Sequence, residues 1–356
     1  MHFDFDEDQR LLQQTVRDYL EGACPVERIR ELWDTETGRS PLLWKELAGI
    51  GLPGLLVSEA HGGLGMNEID WVLLQEEVGR AALAEPLVPC AVGAKLIAES
   101  GNTALADAWL PKVAAGEAQL AVGHPASPFV ADAHVADLLL LSSGGEGDEA
   151  VHAVPAREVG LEAQPASDGS QRLFRVTWEP SEATLLARGD AARALLTSAL
   201  DRGAFASAAQ ALGVADRLIE LAVEYAGQRV QFGVPIGSFQ AVKHMLADAK
   251  VKLEYARSHV YRAAYSVAEA SDSRPLDVSM AKLAACEAAR EASKTSLQVH
   301  GAIGYTYEQD VHVWMKRAAS LELAWGDSVL HRERLERSVI DREPAAASFG
   351  YSFAGA

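Results

Sequence analysis

Apolar positions Phe5, Leu12, Val16 and Leu20 recur at helical spacing across residues 5–22, with acidic residues at the start to suit the helix dipole. A loop around Thr35–Pro41 separates this segment from the helix LLWKELAGIG, which Gly51 closes. GLPGLLVSEAHGGLGMN reads as a glycine-rich turn region. Its Gly63-Leu64-Gly65 lacks the third glycine and the preceding strand of a dinucleotide fingerprint, so tight turns are the expectation. Helical patterns return over 68–82, 87–100 and 102–110. After Leu120 the pattern changes to short β-prone runs, AHVADLLLLSS, AVHAVPA and LFRVTWEP, separated by Gly, Ser, Asp and Pro clusters. From about residue 192 it is helical again. Leu212, Ala215, Ile219, Ala222 and Tyr225 form one stripe, stopped by Gly227, and a longer stripe runs from Phe239 to Ala263. The alanine-rich stretch 277–300 suits helices packed closely on more than one side. The pattern predicts a mainly α protein with a small β middle domain: N-terminal helices at 1–118, a β domain at 119–190 and a C-terminal helical domain at 191–356.

Composition narrows the function classes. The chain has 356 residues, 49% of them hydrophobic and 23% charged, which supports a sizeable core and argues against global disorder. A net charge of −18 argues against nucleic-acid binding and against docking on an anionic membrane. No apolar run is long enough to span a bilayer. The acidic start, MHFDFDEDQRLL, lacks the build of a secretory signal. Cys24, Cys90 and Cys286 show no metal-binding spacing and no disulfide framework. The expectation is a reduced, cytoplasmic protein without a metal site.

Two segments carry candidate chemistry. GQRVQFGVPIGSFQAVKHMLAD, residues 227–248, joins two long helices through a loop with Gly233, Pro235 and Gly237. Ser238 is expected to cap the next helix, whose start offers free N–H groups and a positive dipole end. Arg229 adds a planar fork suited to phosphate, and Gln231, Phe232, Phe239 and Gln240 add polar and flat surfaces. A plain helix connection with a solvated arginine would have the same local appearance. In LQVHGAIGYTYEQDVHVWMKRA, residues 297–318, a helix ends at Gly301, and Gly304 permits a second close backbone approach. His300, His312 and the neighbouring acids do not match a metal spacing and read as helix-terminus partners and surface groups.

These residues resemble the acyl-CoA dehydrogenases. RVQFGVPIGSFQAVKHMLAD and QVHGAIGYTYEQDVHVWMKRA are similar to the family's two C-terminal signature regions. FDEDQRLLQQTVRDYL, SEAHGGLGMN and LPKVAAGE are similar to its N-terminal half. The resemblance implies a fold of N-terminal helices, a β domain and a C-terminal four-helix bundle. It implies FAD-dependent α,β-desaturation of an acyl-CoA thioester: a carboxylate removes the α proton and the β hydride passes to the flavin. FAD in this family bridges two subunits. Its ADP side is implied to fall on Arg229, Gln231, Phe232, Phe239, Gln240, Gln298, Gly301, Ala302 and Gly304, with Ala302 standing where the family has glycine. The implied electron acceptor is an electron-transfer flavoprotein.

The chain departs from the pattern at the flavin-ring side. AVGHPASPFVADAH keeps only the flavour of the family's TEPxAGSD-like segment, and the following tryptophan-containing stretch has no counterpart. In the family's YEGTS, a glutamate serves as base. Here the segment reads Ala324-Trp325-Gly326-Asp327-Ser328, and Trp325 cannot accept the proton. Some members carry the glutamate before a helix arginine, which points to Asp201 in Leu200-Asp201-Arg202-Gly203. Burial would raise its pKa, the adjacent arginine would oppose that, and a plain cap or salt bridge is the alternative. Three readings stay open: a subunit paired with a fuller homologous chain that supplies the ring site, a homo-oligomer using Asp201, and a non-catalytic scaffold or CoA-ligand binder. The acyl group is not legible; a bulky steroid side-chain thioester is suggested by analogy with paired-subunit members.

Overall fold

The amphipathic pattern at the chain's start becomes α1 (Glu7–Ala23), opened by a capping box in which Asp6 accepts from the Gln9 amide at 2.8 Å. The computed structural model describes residues 4–145 and 147–340, so the end of the expected C-terminal segment, 341–356, lies outside the described residues. A short helix not anticipated from the pattern follows, α2 (Val26–Trp33), seated by the buried Ile29. Next come α3 (Pro41–Gly49), α4 (Glu68–Arg80), α5 (Leu87–Glu99) and α6 (Thr103–Ala114). The last runs past its expected end, through Pro111. Between α3 and α4 the glycine-rich stretch folds into tight turns: Leu64 N–H donates to Gly54 O at 3.0 Å, and a Cβ at Gly63 would overlap the Val57 carbonyl.

The β-prone runs form two small sheets. In one, β1 (Leu120–Gly123), β3 (Leu138–Ser143), β4 (Ala150–Pro155) and β7 (Leu185–Arg188) lie in that order, with β1 and β3 parallel and the other pairs antiparallel. In the other, β6 (Leu173–Thr177) lies between β2 (Val130–Ala131) and β5 (Gly160–Gln164). The loop between β5 and β6 is clamped to the helices. Arg317 Nε donates to Asp168 Oδ2 at 2.7 Å, Arg39 donates to Ser170 O at 2.9 Å, and Arg172 donates to Trp33 O at 3.0 Å.

The C-terminal part is built on α7 (Asp190–Gln228), α8 (Gln240–Ala268), α9 (Arg274–His300) and α10 (Val311–Leu323), with α11 (Ser328–Val339) against α9. Alanine and glycine let these helices approach closely. Ala208, Ala211, Ala215, Ala281, Ala285 and Ala292 are fully buried. At the crossing of α4 and α7, a Cβ at Gly79 would overlap the Gln210 carbonyl and one at Gly213 would overlap the Glu76 carbonyl. One continuous core joins the N-terminal helices, β1, β3 and the C-terminal helices.

Candidate functional site

Helix α7 ends with Arg229 as its C-cap, two residues beyond the expected stop at Gly227. The chain then turns through a two-stranded hairpin, β8 (Val230–Gln231) and β9 (Val234–Pro235), before α8 begins. Phe232 sits at the tip in the left-handed region (φ 54°) and is 93% exposed. It meets Phe239 edge to face, with centroids 6.2 Å apart. Val230 and Val234 are exposed beside it. Arg229, Gln231 and Gln240 are also exposed, and Arg229 has no ion-pair partner among the described residues.

Ser238 does not cap α8. Its hydroxyl donates back to Pro235 O at 2.7 Å, closing the turn Ile236–Ser238, and the helix begins only at Gln240. The cap position falls to Phe239, which has no side-chain oxygen, so the first N–H groups of α8 receive no side-chain acceptor.

At the far end of α9 the chain turns at Gly301 (φ 64°). Gln298 and Ala302 are exposed there, and Gly304 is buried where a Cβ would press on His300 and Leu297. The hairpin and this turn lie at one end of the bundle. Val299 shares an apolar cluster with Ala222, Ala226 and Ile236, and Tyr225 stacks on His300 with centroids 4.5 Å apart. His300 Nδ1 donates to Ser296 O at 2.8 Å.

The turn after α10 is organised quite differently. A cavity of about 560 Å³ opens between the β region and the start of α11, with Phe129, Leu173, Leu323 and Trp325 among its walls. Trp325 adopts φ 57°, a costly conformation for a bulky residue, and Gly326 follows at φ 91°. Several groups hold the turn. The buried Lys282 donates to the carbonyls of Leu321 and, at 2.7 Å, Ala324. His331 Nε2 donates to Trp325 O at 3.0 Å, with Ser279 at its other nitrogen. Asp327 caps α11, accepting from Val329 and Leu330. Burial pushes the His331 pKa down to about 4 and lowers that of Lys282.

The indole lies flat on α7 at Gly203, where an added Cβ would overlap the ring. The His124 ring stands 6.3 Å from it, centroid to centroid, and tilted by 51°. Both nitrogens of His124 are engaged: Nε2 donates to Leu196 O at 3.0 Å and Nδ1 accepts from the Ala126 amide at 3.0 Å. Burial pushes its pKa down to about 4, so it is neutral at pH 7.

Asp201 lies inside α7 rather than near its start. It is fully buried, two residues and about 200° round the helix from Gly203. Arg274 Nε donates to its Oδ2 at 2.8 Å, and Arg334 donates to its Oδ1 at 2.5 Å. Its neighbour Arg202 turns elsewhere, to Glu68 at 2.7 Å and Glu99 at 2.7 Å. Neither Asp201 nor any of the hairpin and Gly301-turn residues lines the cavity. Sequence reasoning missed Gly203, Arg274, Arg334, Lys282 and His331. Lys282 alone left a signal, being a lysine at an inward position of an alanine-rich stripe beside Val278, Ala281 and Ala285.

Residues 6–117 match the acyl-CoA dehydrogenase N-terminal domain and residues 193–340 match the acyl-CoA dehydrogenase C-terminal domain. The chain belongs to the acyl-CoA dehydrogenase family. Among curated relatives, the acyl-CoA dehydrogenase IpdE2 of Mycobacterium tuberculosis is 31% identical over 325 residues, covering 88% of this chain and 91% of the relative. The IpdE2 of Mycolicibacterium smegmatis is 31% identical over 335 residues, covering 94% and 99%. Among solved structures, the ChsE4–ChsE5 complex of Mycobacterium tuberculosis superposes with a TM-score of 0.86 at 26% identity, covering 97% of this chain and all of the matched chain. The steroid acyl-CoA dehydrogenase Tcur3481–Tcur3483 gives a TM-score of 0.84 at 27% identity, covering 94% and 98%. The chain is thus an acyl-CoA dehydrogenase subunit of the FAD-dependent class, an oxidoreductase acting on CH–CH groups. Among the described residues no His, Cys, Asp or Glu cluster is placed to hold a metal ion, and no helix is long and apolar enough to cross a membrane.

Proposed function

We propose that this chain works as one member of a paired acyl-CoA dehydrogenase, gripping the ADP side of FAD while a related subunit supplies the flavin-ring site and the catalytic carboxylate. The observation that carries the reading is the contrast at its two sites. The Arg229 hairpin is exposed with open donors, whereas the cavity of the same chain is walled by Trp325 where the family's base would stand.

The donor set fits a dinucleotide's phosphates. The Arg229 guanidinium, without an ion-pair partner among the described residues, and the N–H groups of α8 that have no side-chain cap suit a pyrophosphate. Phe232 and Phe239 offer flat apolar surface, and Gln231, Gln240 and Gln298 offer hydrogen bonds. Gly301, Ala302 and Gly304 form a small-residue turn against which a ligand can lie closely. Bound FAD supplies the hydride acceptor. This chain's residues hold the phosphates and keep the exposed aromatic hairpin ready to be covered by the partner. The similarity to the ChsE4–ChsE5 complex and to Tcur3481–Tcur3483 supports a partner of the same family.

In this reading Asp201 is an ion-pair anchor for α9 and α11. The substrate is an acyl-CoA thioester, and the similarity to the steroid acyl-CoA dehydrogenase Tcur3481–Tcur3483 supports a bulky acyl group bound on the partner's side. An electron-transfer flavoprotein serves as acceptor, and the complex works in the cytoplasm. The test is to purify the chain alone and together with its related subunit and read the visible flavin absorbance. Flavin held only by the pair supports the reading; flavin held tightly by the chain alone overturns it.

A further inference from the structure

A separate cavity of about 540 Å³ lies in the N-terminal half, between the glycine-rich turn that follows α3 and the helices α5 and α6. Its volume falls in the range of small-molecule sites. Ala94 and Ala98 from α5 and Ala106 from α6 line it, and side chains this small leave the space between helices and turn unfilled. Leu56, Val57 and Leu110, all buried, give it an apolar lining. The turn side is held in place. Gly65 N–H donates to Val57 O at 2.8 Å, and Met66 N–H donates to Leu55 O at 3.0 Å. His61 ties the turn to α6, with one ring nitrogen 3.1 Å from Asp107 Oδ1 and the other 2.9 Å from Ser58 Oγ. A preformed apolar cleft has little freedom to lose when a ligand enters it.

The charged groups around the cleft decide what kind of ligand it suits. His61 and Asp107 are matched to each other. Glu59 is exposed, so water satisfies its carboxylate. The buried Glu68, at the start of α4, is taken by Arg202 Nε at 2.7 Å. Lys95 is different. It is half-buried beside the alanines of α5, and its amine has no hydrogen-bond or ion-pair partner among the described residues. The Thr103 hydroxyl, also on the cleft, has no partner among them either. A half-buried ammonium on an apolar wall is the group that gains most from a counter-ion brought by a ligand.

We propose that this cleft binds a small aliphatic carboxylate, with its chain against Leu56, Val57 and the alanines and its carboxylate paired with Lys95. The cleft shares no lining residue with the Arg229 hairpin or with the cavity at Trp325, and the inference holds whichever subunit carries the catalytic base.

The test is isothermal titration of the full chain, alone and as the FAD-loaded pair, with octanoate. Octan-1-ol, octylammonium and octanoyl-CoA serve as the competing probes. The expected result is octanoate binding that weakens about tenfold in Lys95→Met, which keeps the apolar stem and removes the charge. Ala98→Phe, at an exposed position, fills the cleft without disturbing the core and abolishes binding. Lys252→Met, a lysine on α8 with 46% of its side chain exposed, leaves binding unchanged. No binding of octanoate overturns the proposal, as does binding indifferent to Lys95→Met and Ala98→Phe. Equal affinity for octan-1-ol removes Lys95 as the counter-ion, and tighter binding of octylammonium transfers that role to Glu59; either overturns the carboxylate assignment. Tighter binding of octanoyl-CoA overturns it in favour of a thioester. Visible absorbance of the same samples reports separately on which subunit holds FAD, so the two readings fail independently.

Discussion

The hairpin after α7 and the turn after α10 are both glycine-punctuated breaks in the same helical domain, yet they balance their polar groups in opposite ways. The hairpin leaves its groups open: Arg229 has no ion-pair partner among the described residues, α8 has no side-chain cap, and Phe232 is almost wholly in solvent. The turn directs its main polar groups onto the chain itself. Lys282 takes its carbonyls, His331 holds Trp325, Asp327 caps α11, and Asp201 beneath is neutralised by two arginines. Open donors and exposed aromatic surface mark a surface awaiting a ligand or partner. Interior groups matched to one another mark a place where the chain stabilises its own turn.

The largest expected effect comes from breaking the interior match. Asp201→Asn leaves Arg274 and Arg334 facing a neutral amide, and urea unfolding should show a loss of about 3–5 kcal/mol, the usual cost of removing one partner of a buried pair. Unchanged stability with abolished turnover in the paired enzyme would instead make Asp201 the base. Arg229→Gln should do the opposite. Stability should stay within about 0.5 kcal/mol because the residue is exposed, while the pair should hold FAD about tenfold to a hundredfold more weakly. Undiminished flavin content would remove Arg229 from the cofactor site.

Gly203→Ala probes the contact between α7 and the turn after α10 directly. Its Cβ overlaps the Trp325 ring, so about 1–3 kcal/mol of overpacking is expected, and most of it should vanish when Trp325→Ala is added. Strict additivity in the double mutant would mean that the ring does not rest on Gly203. The smallest effect is on pH dependence. His331 titrates near 4 in the folded chain, below its ordinary value of 6.5, so its stabilisation is present above pH 6.5 and is lost as pH falls toward 4. Burial raises Glu85 to about 7, which works in the opposite direction: its contribution is present below 4.5 and lost as pH rises toward 7. The comparison is therefore wild type against His331→Gln, whose stability should fall less steeply below pH 6.5, by no more than about 1.4 kcal/mol per pH unit.

The hairpin was legible because its signals are contiguous. RVQFGVPIGSFQ places an arginine, turn glycines and flat side chains within one short stretch, and a helix connection there follows from the periodic segments on either side. Ser238 was misjudged as a cap because its hydroxyl has a competing local acceptor in the Pro235 carbonyl, a choice between two nearby partners that composition does not resolve. α2 was missed because eight residues with one buried position carry little periodicity. Asp201 drew attention through the arginine beside it in sequence. Neighbours in sequence on a helix point about 100° apart, however, and the position that turns toward Trp325 is Gly203.

The sequence by itself determined the order of helices, sheets and helices, the family, and the presence of Trp325 in the turn after α10, because periodicity, turn chemistry and motif spacing are local properties. Only the tertiary structure decided what surrounds that tryptophan. Gly203, Lys282, His331, Arg274 and Arg334 come from α7, α9 and α11, and nothing in their own stretches of chain says which of them will meet. Their meeting is set by close packing, in which the rotation of each helix is fixed by the whole core rather than by its neighbours in sequence.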